Sequence, residues 1–481
     1  MGIKSGLNYN AEKWIAGLGF PHRSLDTPMD AHVEGWWSYL TRTAAFYERK
    51  EVDADGNEHK VRVRSCTPAE MVDEDMASLI YNERASVSCP DVDDGGVAQA
   101  WLDTWLDRVR WHDSAPLAVK RMCDTGTAAW ALQLRNVSAT GTSPALSVVP
   151  VRYDARSIVP LEWDATGCTA CAFKSTVRAD GEDMTQVEVH RMGPAGTYLV
   201  SCALFDEGGE LVRRDGLPDP DTAIDTRQEL PTFQLIRLAR DNRWWEGSPM
   251  GVALFSGLED VLETVDLAFD NLGNEIFLGR KMLAVDESMM KRDQNGRIHL
   301  PWMDGQQFFL ATKSNTYDGG LGVFEYNPTL RADEDRKMLA TALQMLGKRA
   351  GFGTKYYSLD STGSITTAKQ VASDNAELMR TVRRHEHLVR PAVEGIVEAA
   401  GNVCRTLGGA QLPDMAGAVH VELGDSIMED DDTARERDRA DVAAGLLEPW
   451  RYMVRWQGYT EADAREAQGA SDAMGGVPVE A

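Results

Sequence analysis

Between Ser248 and Leu407 apolar residues recur at steps of three and four, interrupted by polar, glycine-punctuated stretches. Phe255, Leu258, Leu262, Val265, Phe269, Leu272 and Ile276 alternate those steps without a miss, which predicts a helix with a heptad-like seam. Ser248-Pro249 supplies its start, the serine as cap and the proline in the first turn. A second helix is expected from Thr329 as N-cap. Asp333, Glu334 and Asp335 lie near its positive end, Lys348 and Arg349 in its last turn, and Gly351 stops it. The stretch Gly351 to Gly363 is too polar to continue it. Thr367 and Gln370 then have capping-box spacing ahead of Val371, Leu378, Val382, Val389, Val393, Ile396, Ala400, Val403 and Leu407. That third helix would run roughly 60 Å at 1.5 Å per residue, bent near Pro391. Such length is unusual inside one compact domain and points to a part that spans something.

Before this region the pattern is mixed. Residues 1–30 read as irregular, and helices are expected at Ala31–Glu48, Thr67–Glu83, Gly96–Val109 and Ser114–Thr127. Glu51–Arg64, with Asp55-Gly56, reads as a surface hairpin. From Ala129 the period shifts toward strands: Ala131–Val137, Leu146–Val151, Ile158–Trp163, Gln186–His190, Thr197–Phe205 and Thr232–Leu238. This predicts an α+β domain. Gly279–Asn327 returns to short strands and turns between two helices, so the whole looks like an antiparallel stalk with a small β tip. After Leu407 come a strand at Ala418–Leu423, an acidic run at Glu429–Asp432, and short helices at Thr433–Ala444, Glu448–Gln457 and Thr460–Gln468.

Composition narrows the classes. At 43% hydrophobic residues, the 481-residue chain can bury a real core, so disorder is excluded as the overall state. The formal net charge of -25 is the wrong sign for a free-standing nucleic-acid binder, whose affinity comes from neutralising phosphates. Met1-Gly-Ile-Lys-Ser-Gly6 lacks a signal-peptide layout, and Gly6 stands where myristoylation needs Ser or Thr. No apolar run approaches a membrane span, so no membrane partner is expected. Seven scattered cysteines suit reduced thiols, and the expectation is a soluble protein made inside a cell.

Catalytic motifs are hard to find. Cys168-Thr-Ala-Cys171 is a lone pair in a strand-like region and a poor zinc site. In His385-Glu386-His387 the imidazoles point to different helix faces, unlike an i, i+4 metal pair; surface or subunit-contact positions are expected. Gly347-Lys348-Arg349 lacks the rest of a phosphate-binding loop, and Gly351-Phe-Gly353 lacks a dinucleotide fingerprint. Glu429–Asp432 reads as a solvated acidic run. No enzyme activity, cofactor or metal site is expected. A different stripe is suggestive: Glu259, Glu263, Asp266 and Asp270 share one side of the seamed helix, either a solvated face or an acidic side turned toward a channel.

The order of elements, together with local stretches, resembles the portal (head-to-tail connector) proteins of tailed bacteriophages. The stretches are Met76-Ala-Ser-Leu-Ile-Tyr-Asn-Glu83, Val187-Glu-Val-His190 leading into Thr197–Phe205, and Gly247-Ser-Pro-Met-Gly251 continuing to Asp266 and Asn274-Glu275-Ile276. The strongest are Thr366-Thr-Ala-Lys-Gln-Val371, Ser373-Asp-Asn-Ala-Glu-Leu378 and Arg380-Thr-Val-Arg-Arg-His385; the family often has glutamate where Lys369 stands. The resemblance implies an α+β wing over residues 1–250, stem helices at 251–278 and 329–350, and a small β-containing clip at 279–328. A tunnel loop would follow at 351–364, a long bent helix returning to the wing at 365–423, and a helical crown with a flexible tail at 424–481. It further implies a virion protein, assembled in host cytoplasm into a ring of about twelve subunits. That ring would contact capsid and scaffolding proteins, the terminase large subunit and a head-tail adaptor, and would pass double-stranded DNA non-specifically. On that reading Glu259, Glu263, Asp266 and Asp270 partly line or edge the channel, and Lys355, Tyr356 and Tyr357 are the loop's touch points. The rival readings are a packaging enzyme (ATPase or nuclease), for which the motifs are missing, and a head adaptor that forms no ring.

Overall fold

The computed structural model describes residues 2–52, 55–90, 95–137, 142–179, 181–214, 217–278, 282–286, 294, 307–311, 323–326, 329–359, 368–424, 431–457, 459, 463–465 and 467–468. The chain divides into two compact units, Met1–Leu423 and Gly424–Ala481.

The first unit opens with helices α1 (Gly2–Gly17) and α2 (Asp30–Leu40) and the antiparallel hairpin β1 (Glu48–Val52) and β2 (Glu58–Arg62). Helix α3 (Pro68–Ile80), strand β3 (Ser86–Ser88), α4 (Val97–Val109) and α5 (Trp111–Thr125) follow. The strand-rich stretch holds β4 (Thr127–Arg135), β5 (Ser147–Asp154), β6 (Ile158–Asp164), β7 (Gly167–Ala179) and β8 (Glu182–Met192). It continues with β9 (Tyr198–Phe205), β10 (Leu211–Val212), β11 (Ala223–Asp225) and β12 (Phe233–Arg237). Next come α6 (Glu259–Leu278), the strands β13 (Met282–Asp286), β14 (Gln307–Ala311) and β15 (Val323–Tyr326), then α7 (Ala332–Ala350), α8 (Ala368–Thr406) and β16 (His420–Glu422). The second unit contains α9 (Asp431–Ala443) and α10 (Pro449–Gln457). The α+β class expected from the periodicity is what the structure shows.

Two antiparallel sheets form the body. One runs β10-β9-β8-β7-β6, with β11 also on β9; the other runs β12-β4-β5. On one side of β7, Ala170 and Ala172 are small enough to be fully buried beneath α1, whose Ala11 and Ile15 join them in one core cluster. The opposite side of β7 carries Phe173, which meets Tyr153, His190 and Phe233 at ring distances of 4.8, 5.4 and 5.7 Å. β4 is buried along Ala128–Leu132, and its Trp130 continues a row of indoles through Trp111, Trp105 and Trp101. β3 pairs with β16, and β13 lies between parallel β14 and antiparallel β15.

Several expectations need correction. Residues 2–17 are helical, not irregular; Ala11 and Ile15 share a face, a short signal among glycines. The helix expected at Ala31–Glu48 stops at Leu40, where Thr43 N–H closes back on the Ser38 carbonyl and Arg42 turns left-handed at φ 55°. The helix expected from Ser248 begins only at Glu259. Residues 250–255 run instead as a buried segment against the end of α5, with Leu254 N–H on the Cys123 carbonyl (2.9 Å). Gly126 and Gly251 allow that approach, since a Cβ on either would collide with the other's segment. Arg240 satisfies the freed carbonyls of Ala253, Leu254 and Ser256. Phe255 and Leu258 are thus core residues of a turn, not of a helical seam. α8 runs through Pro391 as the single long helix that its spacing predicts. Its expected cap, Thr367, lies outside the described residues, as do the Asn295-Gly296 and Asp304-Gly305 turns.

Candidate functional site

The region singled out by the pattern is the α6–α7 hairpin and the loop after it. Its two helices pack together, and Glu275 near the end of α6 meets Arg331 at the start of α7, so they run antiparallel. That meeting replaces the expected cap. Thr329 does not cap α7; the Glu275 carboxylate accepts from Arg331 N–H at 3.0 Å and faces its guanidinium at 3.4 Å. These donors hold the Glu275 carboxyl below its ordinary range. At the other end Lys348, Arg349 and Gly351 (φ 96°) close α7 as the charge pattern predicts.

The acidic stripe of α6 is not one open face. Glu263 accepts from the Tyr39 hydroxyl at 2.7 Å. Asp266 is fully buried and accepts from the Tyr47 and Ser65 hydroxyls, both at 2.8 Å, and from Cys66 N–H at 2.9 Å. Asp270 accepts from Arg64 N–H and from Asn274. Glu259 is half-buried. The stripe is therefore a docking line for residues 39–66 of the same chain. Asp266 faces inward and lines no outer surface, which corrects its expected place at a channel. Burial raises its carboxyl even though its donors pull the other way, and burial beside it pushes the Cys66 thiol up to about 12. The solvent side of α6 carries Asp260, Thr264 and Asn271 instead.

The loop is a packed object over its described part. Phe352 is buried with its N–H on the Gly347 carbonyl (2.8 Å), and its ring contacts those of Tyr356 (4.8 Å) and Tyr357 (5.4 Å). Tyr357 donates to Asp75 of α3 at 2.7 Å, which anchors the loop to the body. Gly347 makes room: a Cβ there would stand 3.0 Å from the Tyr357 ring and 2.9 Å from the Gly353 carbonyl. Tyr356 is 41% exposed and Lys355 is exposed, whereas Tyr357 is half-buried. Burial and nearby Asp75 push the Tyr356 hydroxyl up to about 12. Exposed Lys348 and Arg349 add positive charge beside the loop.

Sequence spacing gave no sign of Tyr39, Tyr47, Ser65, Asp75 or Glu275 as partners, because each contact spans more than fifty residues. His385, expected at the surface or a subunit contact, is buried and accepts Ala239 N–H on Nδ1 at 3.0 Å; His387 is exposed. Cys168 and Cys171 are both free thiols on β7. Among the described residues no group of three or more His, Cys, Asp or Glu could hold a metal ion, and no helix is long and apolar enough to cross a membrane.

No family model matches the chain, and no curated protein matches it. Solved structures do. The chain is similar to one in the virion of a native gene transfer agent particle: 10% identity and TM-score 0.36, over 80% of this chain and 87% of that one. A second match, from the neck of the native particle computed with C12 symmetry, has 11% identity and TM-score 0.35 with the same coverage. Likeness at that level carries no argument about activity.

Proposed function

We propose that this chain is a structural protein of a phage-like head or neck, and within that class the portal subunit. Copies would close into a ring of about twelve at one capsid vertex, through which double-stranded DNA is packaged and ejected. The observation that carries the reading is the α6–α7 hairpin, which leaves an α+β body, bears a small β element at its far end and returns through a loop into a 39-residue helix. The hairpin also leaves apolar side chains uncovered within one chain: Ile276 is 60% exposed, Met338 49% and Met345 56%. A neighbouring copy would cover them, since head-to-tail rings need two different faces on each subunit.

The charge suits such a channel. Net charge of -25 per chain keeps a polyanion from adhering, while Lys348, Arg349 and Lys355 offer weak contacts at the loop. Of the carboxylates expected at the channel, Glu259, Glu263 and Asp270 keep partial exposure, and Asp260 stands on the solvent side of α6. Terminase, adaptor, scaffolding and capsid proteins are the partners this role requires. Negative-stain imaging of the purified full chain tests it: annular particles with a central hole are expected. Strictly monomeric material under all conditions, with no annulus in particles, would overturn it.

A further inference from the structure

Helices α3 and α5 pack side by side and bury two carboxyl groups between them. Asp73 on α3 is 0% exposed, and neither of its oxygens meets a donor. Asp124 on α5 is 1% exposed; one oxygen takes the Arg121 guanidinium at 2.8 Å, and the other, Oδ1, meets no donor. Across the α3–α5 contact Asp124 is the side chain that acts most strongly on Asp73. Two ionised carboxylates so placed, away from water, would repel strongly and leave acceptors facing acceptors. One proton removes both problems, because it turns an acceptor into a donor and cancels a charge.

We propose that Asp73 and Asp124 hold one shared proton at neutral pH, carried on Asp73 and donated to Asp124, and that its loss loosens α3 from α5. Asp75 follows two residues later on α3 and anchors Tyr357, so the same event reaches the loop at 351–359.

The surroundings decide the direction. Burial raises the carboxyls of both residues, and that of Asp73 is raised further by Asp124. From α5, Lys120 and Arg121 oppose the rise, while the Cys123 thiol is itself held protonated by burial. Glu70 on α3 adds to it. Beyond these two helices, the Arg156 guanidinium interacts with Asp124 and favours its charged form, and the Tyr357 hydroxyl of the loop is raised in part by Asp73. A folded acid raised above its unfolded value binds a proton that the unfolded chain has already lost. Stability from the pair is therefore full below the ordinary carboxylate value and falls as pH rises to the raised one.

The test follows thermal unfolding of the full chain from about pH 5 to about pH 9, in chelator, for wild type, Asp73→Asn and Asp124→Asn. In wild type the folding equilibrium should weaken by up to about tenfold per pH unit within the window. Asp73→Asn, whose amide can donate to Asp124 without titrating, should lack that component and exceed wild type at the alkaline end. Protection of amides in 351–359, taken relative to the base-catalysed rate of a free amide at each pH, should fall as pH rises in wild type and stay level in Asp73→Asn. An unchanged alkaline slope in Asp73→Asn would overturn the proposal, as would alkaline stability restored to wild type by Mg²⁺ alone, which would mean a cation fills the pair. Infrared spectra of wild type at neutral pH need no variant to fold. Glu188 on β8 is another buried carboxyl that burial raises; a protonated-carboxyl band that persists in Glu188→Gln is expected, and its absence from wild type would sink the idea.

Discussion

Asp266 sits on a solvent-facing spacing but is an internal acceptor, and the difference lies in what reaches it. Tyr47, Ser65 and Cys66 come from residues 47–66 to a helix that starts at 259, and no local pattern records that approach. Truncation to alanine would strand two hydroxyls and a backbone N–H in a dry site, a loss of about 3 kcal/mol. Asp266→Ala should therefore lower the unfolding midpoint far more than Glu259→Ala, whose carboxylate is half-buried. Equal midpoints would mean water replaces the lost acceptor. His385 makes the opposite pH statement to the Asp73–Asp124 pair. Burial, with Arg384 and Arg240 adding, lowers its imidazole from 6.5 to about 4. As pH falls the unfolded chain takes up the proton first, so stability is lost from about 6.5 down to about 4, at up to about 1.4 kcal/mol per unit. His190, lowered to about 3, extends the same limb. His385→Asn, which keeps an acceptor near Ala239 N–H, should flatten the acid limb of a midpoint-against-pH curve.

At the scale of elements, the cap of α7 shows what pattern reading captures. The charges in its first and last turns and its closing glycine were legible, because they act within one helix. The cap itself was not, since Glu275 arrives from another helix and Thr329 precedes the first helical residue by three positions. Glu275→Ala should lower the unfolding midpoint slightly, and its mark should be faster amide exchange across Arg331–Asp335 with α6 unchanged. Exchange unchanged there would mean the helix start is held by packing alone. The same division explains the remaining elements. Helices α3, α4 and α5 were visible because their own periodicity buries one face, and strands β4, β6, β8, β9 and β12 because short apolar runs lie between turn residues. β7 escaped as a full strand since Ala170 and Ala172 are small, and smallness serves the packing of α1 without advertising it. The segment before α6 was misread because its apolar spacing suits a helix, while Gly251 and Arg240 commit it to a buried turn.

For the whole molecule, the proposed ring sets two opposed forces against each other. About twelve copies would bring together a formal charge of roughly -300, and like charges within about 8–10 Å at physiological salt repel across each seam. The attraction must come from burying Ile276, Met338 and Met345 between neighbours, which is insensitive to screening. Assembly should therefore strengthen as salt rises, whereas a ring held by intersubunit ion pairs should fall apart. Particle mass measured across a salt series decides between them. Met345→Glu should separate assembly from folding: it adds a charge to an already exposed position, so the unfolding midpoint of the single chain should barely move. The annular fraction should fall at every salt concentration, because the variant loses apolar burial and adds a like charge at every seam. Rings that persist undiminished in Met345→Glu would place the subunit contact on another face of the chain.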